Sequence, residues 1–248
     1  MRGRDRTPTD PGYLRDLFGR TASSYDAVND LISLRQVRRW RRETVALAGP
    51  EVGDRVLDAF AGPGGLAEQA LPLLGATGEL VLADLSPVML HEAQRRLSPG
   101  LRRAGTGSPA VRFVSGDLLR DDLELGTFDV VLLGWGLRYV PDVEAALARL
   151  AGLLRPHGRL AILEFTHSAH ATWALPAQAY FRRVLPRLAG VLSGDRELYE
   201  YLRTSSARFP NTASLVQTAG RAGLRVRTTR THLGGQVTIL VATPTSAT

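Results

Sequence analysis

Apolar runs of strand length alternate with helical patterns in this sequence, and this alternation constrains the fold more than any other feature. Strands that are separated by helices pair in parallel and form a doubly wound α/β sheet. Two further runs around Gly234–Gly235 predict an antiparallel hairpin at one sheet edge, which brings the mainly parallel sheet to seven strands. The predicted strands are 56–60, 80–83, 111–114, 128–133, 160–165, 224–229 and 237–241.

Helical segments flank and interrupt the predicted sheet. Residues 13–48 predict an N-terminal helical cap, and residues 168–208 predict a helical lid inserted after strand five. Residues 1–12 are polar and arginine-rich, so we expect a disordered tail followed by one domain over 13–248. Shorter helices are predicted at 87–97, 141–154 and 215–222, with a turn at 156–158 before strand five.

The composition excludes several kinds of chemistry. The absence of cysteine excludes disulfides, thiolate metal sites and a cysteine nucleophile. Lysine is also absent, since all 31 basic residues are arginine, and this excludes a P-loop lysine and a Schiff-base enzyme. We attribute most of the net charge of +7 to this arginine usage and expect no nucleic-acid partner. A polar start and the lack of a long apolar run lead us to expect a cytoplasmic protein.

A glycine-rich turn follows the first predicted strand. Gly62, Gly64 and Gly65 let the backbone turn sharply and approach a ligand without a Cβ in the way. The next helix would direct its free N–H groups at that ligand. Glycine turns also form for local structural reasons, so the turn alone does not choose between the two interpretations.

Carboxylates at the ends of the first three strands indicate which ligand binds. Asp84 lies about 20 residues after the turn, where a carboxylate accepts both hydroxyls of a ribose. Asp117 ends strand three and is suited to an adenine amino group. Gly62, Gly64 and Ala67 also satisfy a permissive dinucleotide fingerprint, but Asp58 would repel a pyrophosphate and attract an ammonium group. S-adenosylmethionine, which has an amine and no phosphate, fits these residues better.

Several further motifs carry a resemblance to a known family. The chain resembles the ubiquinone/menaquinone biosynthesis C-methyltransferase family, a class I S-adenosylmethionine-dependent group with a Rossmann-like fold, from about residue 17 to residue 241. In that family a prenylated quinol receives the methyl group on a ring carbon. The motifs are Tyr25–Asp26 with Asn29–Asp30, Arg38–Arg39–Trp40–Arg41, the strand-one turn, Gly136–Leu137–Arg138, Leu163–Glu164–Phe165, Val184–Leu185–Pro186–Arg187 and Ser193–Gly194–Asp195.

The resemblance and the strand-end pattern together give a set of expected site residues. We expect S-adenosylmethionine to be bound by Tyr25, Asp58, Gly62, Pro63, Gly64, Asp84, Leu85, Asp117, Leu118 and Gly134. The catalytic candidates are Arg138, Tyr139 and His167, and we expect no metal site. Arg138 would stabilise a phenolate form of the acceptor, although a structural ion pair is the alternative. His167, or His170 close by, would accept a proton, although a loop histidine is often incidental.

Substitutions at the expected site leave the acceptor open. Tyr139 stands where the family has asparagine, Trp135 replaces a phenylalanine, and Ala61, Pro63 and Gly134 also depart from the pattern. A tailoring C- or O-methyltransferase acting on a polyketide-like or phenolic molecule is therefore an alternative, as are a non-methylating cyclase and a binding protein. A homodimer and a peripheral membrane contact stay open. We interpret the cluster around Trp40 as a solvated helix face rather than a membrane or anionic-substrate contact; it comprises Arg35, Arg38, Arg39, Arg41 and Arg42.

Overall fold

A computed structural model describes residues 9–20, 36–120, 123–166, 197–198, 201, 204–205 and 209–245. Within these residues seven strands form one sheet in the order β3-β2-β1-β4-β5-β7-β6. The strands are β1 (Arg55–Ala59), β2 (Glu79–Asp84), β3 (Ala110–Ser115), β4 (Phe128–Gly134), β5 (Leu154–Phe165), β6 (Leu224–His232) and β7 (Val237–Pro244).

The strand directions match the doubly wound prediction. Strands β1 to β5 pair in parallel, while β7 runs antiparallel to both β5 and β6 and lies between them. The hairpin therefore joins the sheet through its second strand, and β6 forms the edge. The central strands are buried along nearly their whole length, which is typical of a parallel sheet covered on both faces.

Helices cover the two faces of the sheet. Alternate side chains of the central strands enter opposite layers: Leu57 and Leu133 pack in one, and Val56 and Leu132 in the other. The helices are α1 (Pro11–Gly19), α2 (Gln36–Ala48), α3 (Ala67–Ala70), α4 (Pro87–Ala104), α5 (Val143–Gly152) and α6 (Thr212–Arg221). Side chains of α2, α3 and α4 pack on the Val56 face, and those of α5 and α6 pack on the Leu57 face.

Side-chain caps set where these helices begin. Ser86 accepts a hydrogen bond from the Met89 N–H at 3.3 Å, and Pro87 opens α4 as predicted. Helix α5 begins at Val143 instead of Pro141, because Asp142 caps it through the Ala145 N–H at 3.0 Å. Helix α1 begins inside the segment predicted as a tail, because Asp10 caps it in the same way.

Two element bounds differ from the prediction for packing reasons. Helix α4 continues past Leu97 through the internal Pro99 to Ala104, because Leu101 extends its apolar stripe onto the core. The predicted turn at 156–158 lies within β5, where the pairing to β4 shifts register between Phe128 and Val130. This irregularity accommodates the proline and glycine without ending the strand. Most of the predicted lid lies outside the described residues.

In the part of the chain that the structure describes, none of the helices has the length and apolar character needed to cross a membrane.

The central strands should dominate the stability of the fold. Leu132 on β4 is fully buried, whereas Leu73 is 42% exposed. We expect Leu132→Ala to lower the free energy of unfolding by about 2–5 kcal/mol, because it leaves a cavity in the core. The matched change Leu73→Ala should alter it by about 0.5 kcal/mol or less. Urea denaturation of both variants checks this, and equal losses would contradict the assigned core.

Candidate active site

A cavity of about 370 Å³ opens at the carboxyl ends of β1, β2, β3 and β4. Its volume falls within the range of roughly 300–1,000 Å³ that is usual for ligand pockets. The turns after these strands form its floor, and side chains of α1 and α2 complete its walls. Doubly wound sheets bind ligands at this end, so the predicted position of the site is where the cavity lies.

Two glycines in the turn after β1 have different surroundings, since one borders the cavity and the other packs against a helix. Gly62 and Gly64 both have left-handed backbone conformations, with φ of 51° and 75°. A Cβ on Gly62 would meet nothing within 4 Å, and Gly62 lines the cavity. A Cβ on Gly64 would lie 3.0 Å from the Ala93 side chain, and Gly64 does not line the cavity. Gly64 therefore allows α4 to pack closely.

Asp84 joins the turns after β1 and β2. Its carboxylate accepts the Gly62 N–H and the Ser86 N–H, both at 2.8 Å, on different oxygens. Burial raises the pKa of Asp84, while these two hydrogen bonds act in the opposite direction. Each carboxylate oxygen has a second lone pair, so Asp84 can also accept hydroxyl groups from a ligand in the cavity.

Asp58 lies beneath the glycine turn and is almost fully buried. It accepts the Ala67 N–H at 2.9 Å and also lines the cavity. Burial raises the pKa of the Asp58 carboxyl to about 7, although this hydrogen bond and the Arg41 guanidinium oppose the shift. The prediction that the helix after the turn directs its N–H groups at the ligand is therefore wrong for Ala67, because Asp58 accepts that donor.

The residues after β3 only partly match the predicted set. Asp117 lines the cavity and accepts the Leu119 N–H at 3.0 Å. Leu118 is 2% exposed and packs in the core instead, and the neighbouring Leu119 lines the cavity. The side chain of Leu118 therefore faces the core, and any contact of Leu118 with the donor would be made by its backbone. Pro63, Leu85 and Gly134, which are also in the predicted set, line the cavity.

A buried ion pair with Glu164 holds the Arg138 side chain outside the cavity. Its Nη2 atom lies 2.8 Å from Oε1 of Glu164, and the two side chains are only 3% and 0% exposed. Glu164 also accepts the Phe165 N–H at 2.8 Å, and burial raises its pKa against the influence of Arg138. Arg138 does not line the cavity, so its position favours the structural ion pair over direct contact with an acceptor.

Tyr139 belongs to an aromatic wall. It lines the cavity, stacks on Tyr201 with a ring separation of 5.7 Å, and meets the edge of Phe18 at 5.0 Å. Phe18 on α1 lines the cavity too, so this wall is formed by two distant parts of the chain.

The other predicted residues Tyr25 and His167, together with His170, lie outside the described residues.

Two non-glycine residues at the site have left-handed backbone conformations. Phe60 after β1 has φ of 54°, and Trp135 after the adjacent β4 has φ of 56°. Both side chains line the cavity. Such conformations cost about 1–3 kcal/mol each and cluster at functional sites. The residue types at positions 60 and 135 gave no indication of these strained backbone conformations.

Arg41 lines the cavity, although the sequence predicted that it belongs to the solvated cluster around Trp40. It is 7% exposed and lines the cavity, whereas Arg38, Arg39 and Arg42 on the same helix are exposed. Helical spacing carried a usable signal, because Arg41 is four residues from both Val37 and Val45, which are buried.

No cluster of three or more histidine, aspartate or glutamate side chains able to hold a metal ion occurs among the described residues.

Comparison with known proteins agrees with this geometry. The model of the ubiE/COQ5 methyltransferase family matches residues 7–243. The chain belongs to this family. It is therefore a methyltransferase, and family and fold imply S-adenosylmethionine as methyl donor.

The relatives are similar over most of their length. The chain is 34% identical over 224 residues to the ubiquinone/menaquinone biosynthesis C-methyltransferase UbiE of Stutzerimonas stutzeri, covering 90% of this chain and 86% of the relative. It is 37% identical over 211 residues to the demethylmenaquinone methyltransferase of Thermus thermophilus, covering 85% and 92%. A TehB-like SAM-dependent methyltransferase from Corynebacterium glutamicum shares the fold, with a TM-score of 0.52, 17% identity and coverage of 83% and 87%. The Rossmann-like class I fold is confirmed.

Breaking the buried ion pair should destabilise this family member. Arg138→Met leaves Glu164 buried without its partner charge, and we expect the free energy of unfolding to fall by about 3–5 kcal/mol. The double variant Arg138→Met/Glu164→Leu should recover most of that loss. Arg221→Met is the control, because its pair with Glu144 is about half exposed and contributes roughly 1 kcal/mol or less. Unchanged stability with reduced turnover for Arg138→Met would instead restore a catalytic interpretation.

The raised pKa of Asp58 predicts stability that falls as pH rises. Between its ordinary value of 3.8 and about 7, the folded chain keeps a proton that the unfolded chain releases. The free energy of unfolding should fall across this window, by on the order of 1 kcal/mol per pKa unit. Asp84 and Glu164 act in the same direction, so we compare Asp58→Asn with the natural chain by urea denaturation at several pH values. Identical pH dependence of the two proteins would contradict the assignment.

Proposed function

We propose that this enzyme transfers the methyl group of S-adenosylmethionine to a ring carbon of a prenylated quinol, such as a demethylmenaquinol. The observation that carries the proposal is a single cavity with carboxylates at the ends of β1, β2 and β3 and an aromatic wall beside β4. The names of the Stutzerimonas and Thermus relatives support a quinone-type acceptor.

The acidic residues of the cavity fit the donor. Asp84 would accept the ribose hydroxyls with the lone pairs that its backbone hydrogen bonds leave available. Asp117 would accept from the adenine amino group, and Asp58 would attract the ammonium group of the methionine part. Gly62 leaves open space where a side chain would otherwise project. When bound, S-adenosylmethionine supplies an electrophilic methyl group on a sulfonium centre.

The aromatic wall fits a flat acceptor ring. Phe60, Trp135 and Tyr139 line the cavity close to the glycine turn, and Leu14 and Phe18 of α1 extend the apolar surface. Such a wall excludes water and orients an aromatic ring toward the donor, and orientation alone can supply several kcal/mol of barrier reduction. The Arg138 guanidinium lies 5.4 Å from the centre of the Tyr139 ring. We therefore assign Arg138 and Tyr139 positioning roles, and His167 stays a candidate proton acceptor.

A phenolic or polyketide-like acceptor is the second candidate. Tyr139 takes the position of the family's asparagine, and its ring packs between Phe18 and Tyr201. The acceptor wall is thus more aromatic than the family pattern implies, which favours a flat substrate without requiring a prenyl tail.

Transfer of a labelled methyl group tests the proposed reaction. The natural chain is incubated with methyl-labelled S-adenosylmethionine and a panel of demethylmenaquinol with a short prenyl tail, naphthols and simple phenols. We expect label on a ring carbon of the demethylmenaquinol, identified by mass spectrometry and NMR. Label only on phenolic oxygens would favour the tailoring function, and donor binding without transfer to any acceptor would rule out both.

Asp84 should control donor affinity. Asp84→Asn keeps the size of the side chain but loses its charge, and we expect affinity for S-adenosylhomocysteine to fall by about 1.5–3 kcal/mol. Glu92→Gln is the matched control, since Glu92 lies on α4 and pairs with Arg95 away from the cavity. Isothermal titration calorimetry measures both variants. If Asp84→Asn binds as tightly as the control, the ribose lies elsewhere.

A further inference from the structure

Arg41 is an arginine that the fold buries at the wall of the donor cavity. It projects from α2, is 7% exposed, and lines the cavity. Burying a guanidinium is costly unless charged or polar groups compensate for lost hydration. The fold thus presents a guanidinium at the wall of the cavity, where a ligand can contact it.

The surroundings of Arg41 hold its guanidinium beside the glycine turn. A Cβ built on Gly65 would overlap the guanidinium, so the absence of a side chain at Gly65 makes room for it. The guanidinium also lies 5.4 Å from the centre of the Trp135 ring, within reach of a cation–π interaction. Gly65 and Trp135, which line the same cavity, thus help to set its position.

Arg41 and Asp58 both line the cavity, so a guanidinium lies near a carboxyl that a bound ammonium group would keep ionised. The guanidinium is close enough to lower the pKa of the Asp58 carboxyl, in opposition to burial. The methionine part of S-adenosylmethionine carries an ammonium and a carboxylate on the same carbon. A cationic and an anionic side chain beside the glycine turn are complementary to that pair of charges.

We propose that Arg41 binds the carboxylate of the methionine part of S-adenosylmethionine, opposite Asp58. This inference rests on the proposed donor site. The planar guanidinium can donate two parallel hydrogen bonds to a carboxylate, a geometry that a lysine ammonium lacks. Gly65 then has a second function, because it keeps the space that the guanidinium needs.

Two ligands separate this role from a structural one. S-adenosylhomocysteine carries the amino acid tail, whereas 5′-methylthioadenosine shares the adenosine part and lacks that tail. For Arg41→Met we expect the affinity for S-adenosylhomocysteine to fall by about 10- to 100-fold, with the affinity for methylthioadenosine unchanged. Arg42→Met is the matched control, because Arg42 is the next residue on α2 and is exposed. It should bind both ligands as the natural chain does.

Gly65→Ala provides an independent variant that keeps the charge. The added methyl group displaces the guanidinium, so this variant should show the same selective loss of S-adenosylhomocysteine binding. The double variant Arg41→Met/Gly65→Ala should bind no more weakly than Arg41→Met alone. Arg41→Lys should recover only part of the affinity, because it restores charge without the paired donors.

Clear outcomes would overturn the proposal. Equal loss of both ligands in Arg41→Met, or a collapse of its thermal unfolding transition, would make Arg41 structural. Undiminished binding of S-adenosylhomocysteine with lost methyl transfer would assign the guanidinium to the acceptor instead. The proposed function fails separately: if no quinol is methylated while the two ligands discriminate as expected, the acceptor assignment is wrong and the Arg41 assignment stands.

Discussion

The carboxylate of Asp84 is the contact on which the site depends. Parallel pairing brings the turns after β1 and β2 to the same end of the sheet, at the carboxyl ends of the strands. Pairing alone does not fix the conformation of those turns. Asp84 does so by accepting the Gly62 and Ser86 N–H groups on separate oxygens. The left-handed conformation of Gly62 presents its N–H, and Ser86 begins α4. One side chain thus links the glycine turn, the second strand and the next helix.

Burial of acidic groups gives this site its electrostatic character. Asp58, Asp84 and Glu164 all have raised pKa values because the fold removes them from water. Such groups lower stability unless cations or N–H donors compensate for the lost hydration. Arg138 compensates Glu164 within the protein, whereas Arg41 opposes the shift at Asp58 from the wall of the cavity. A cationic ligand group near Asp58 would further compensate for the hydration that its carboxyl loses on burial.

The sequence predicted the sheet and the carboxylates because local patterns determine them. Continuous apolar runs mark buried parallel strands, and residues directly after such strands must lie at one sheet edge. That argument selected Asp84 and Asp117, and both line the cavity. The sequence did not establish that Arg138 pairs with Glu164 instead of facing an acceptor. That pairing depends on how the loop after β4 folds against β5, which local patterns do not determine. Arg41 was missed although its spacing from Val37 and Val45 indicated burial, and the space that admits it depends on Gly65, which is distant in sequence.

The proposed donor and acceptor sides of the cavity are held by different contacts. The proposed donor side is held by hydrogen bonds from backbone N–H groups to the carboxylates of Asp84 and Asp58, and by the sheet core. The aromatic wall on the proposed acceptor side depends on α1, which packs through Leu14 and Leu17 against Leu198 and Tyr201. Its pair between Arg20 and Glu197 is about half exposed and contributes roughly 1 kcal/mol or less.

Substitutions on the two sides should therefore have different consequences. A change of side chain in the acceptor wall alters the shape offered to a substrate without disturbing the hydrogen bonds of Asp58 and Asp84. Trp135 and Tyr139, two of the departures from the family pattern, both line the cavity on that side. The hydrogen bonds of Asp58 and Asp84 can thus persist when the aromatic wall changes, whereas Trp135 couples the two sides, because its ring also lies 5.4 Å from the Arg41 guanidinium.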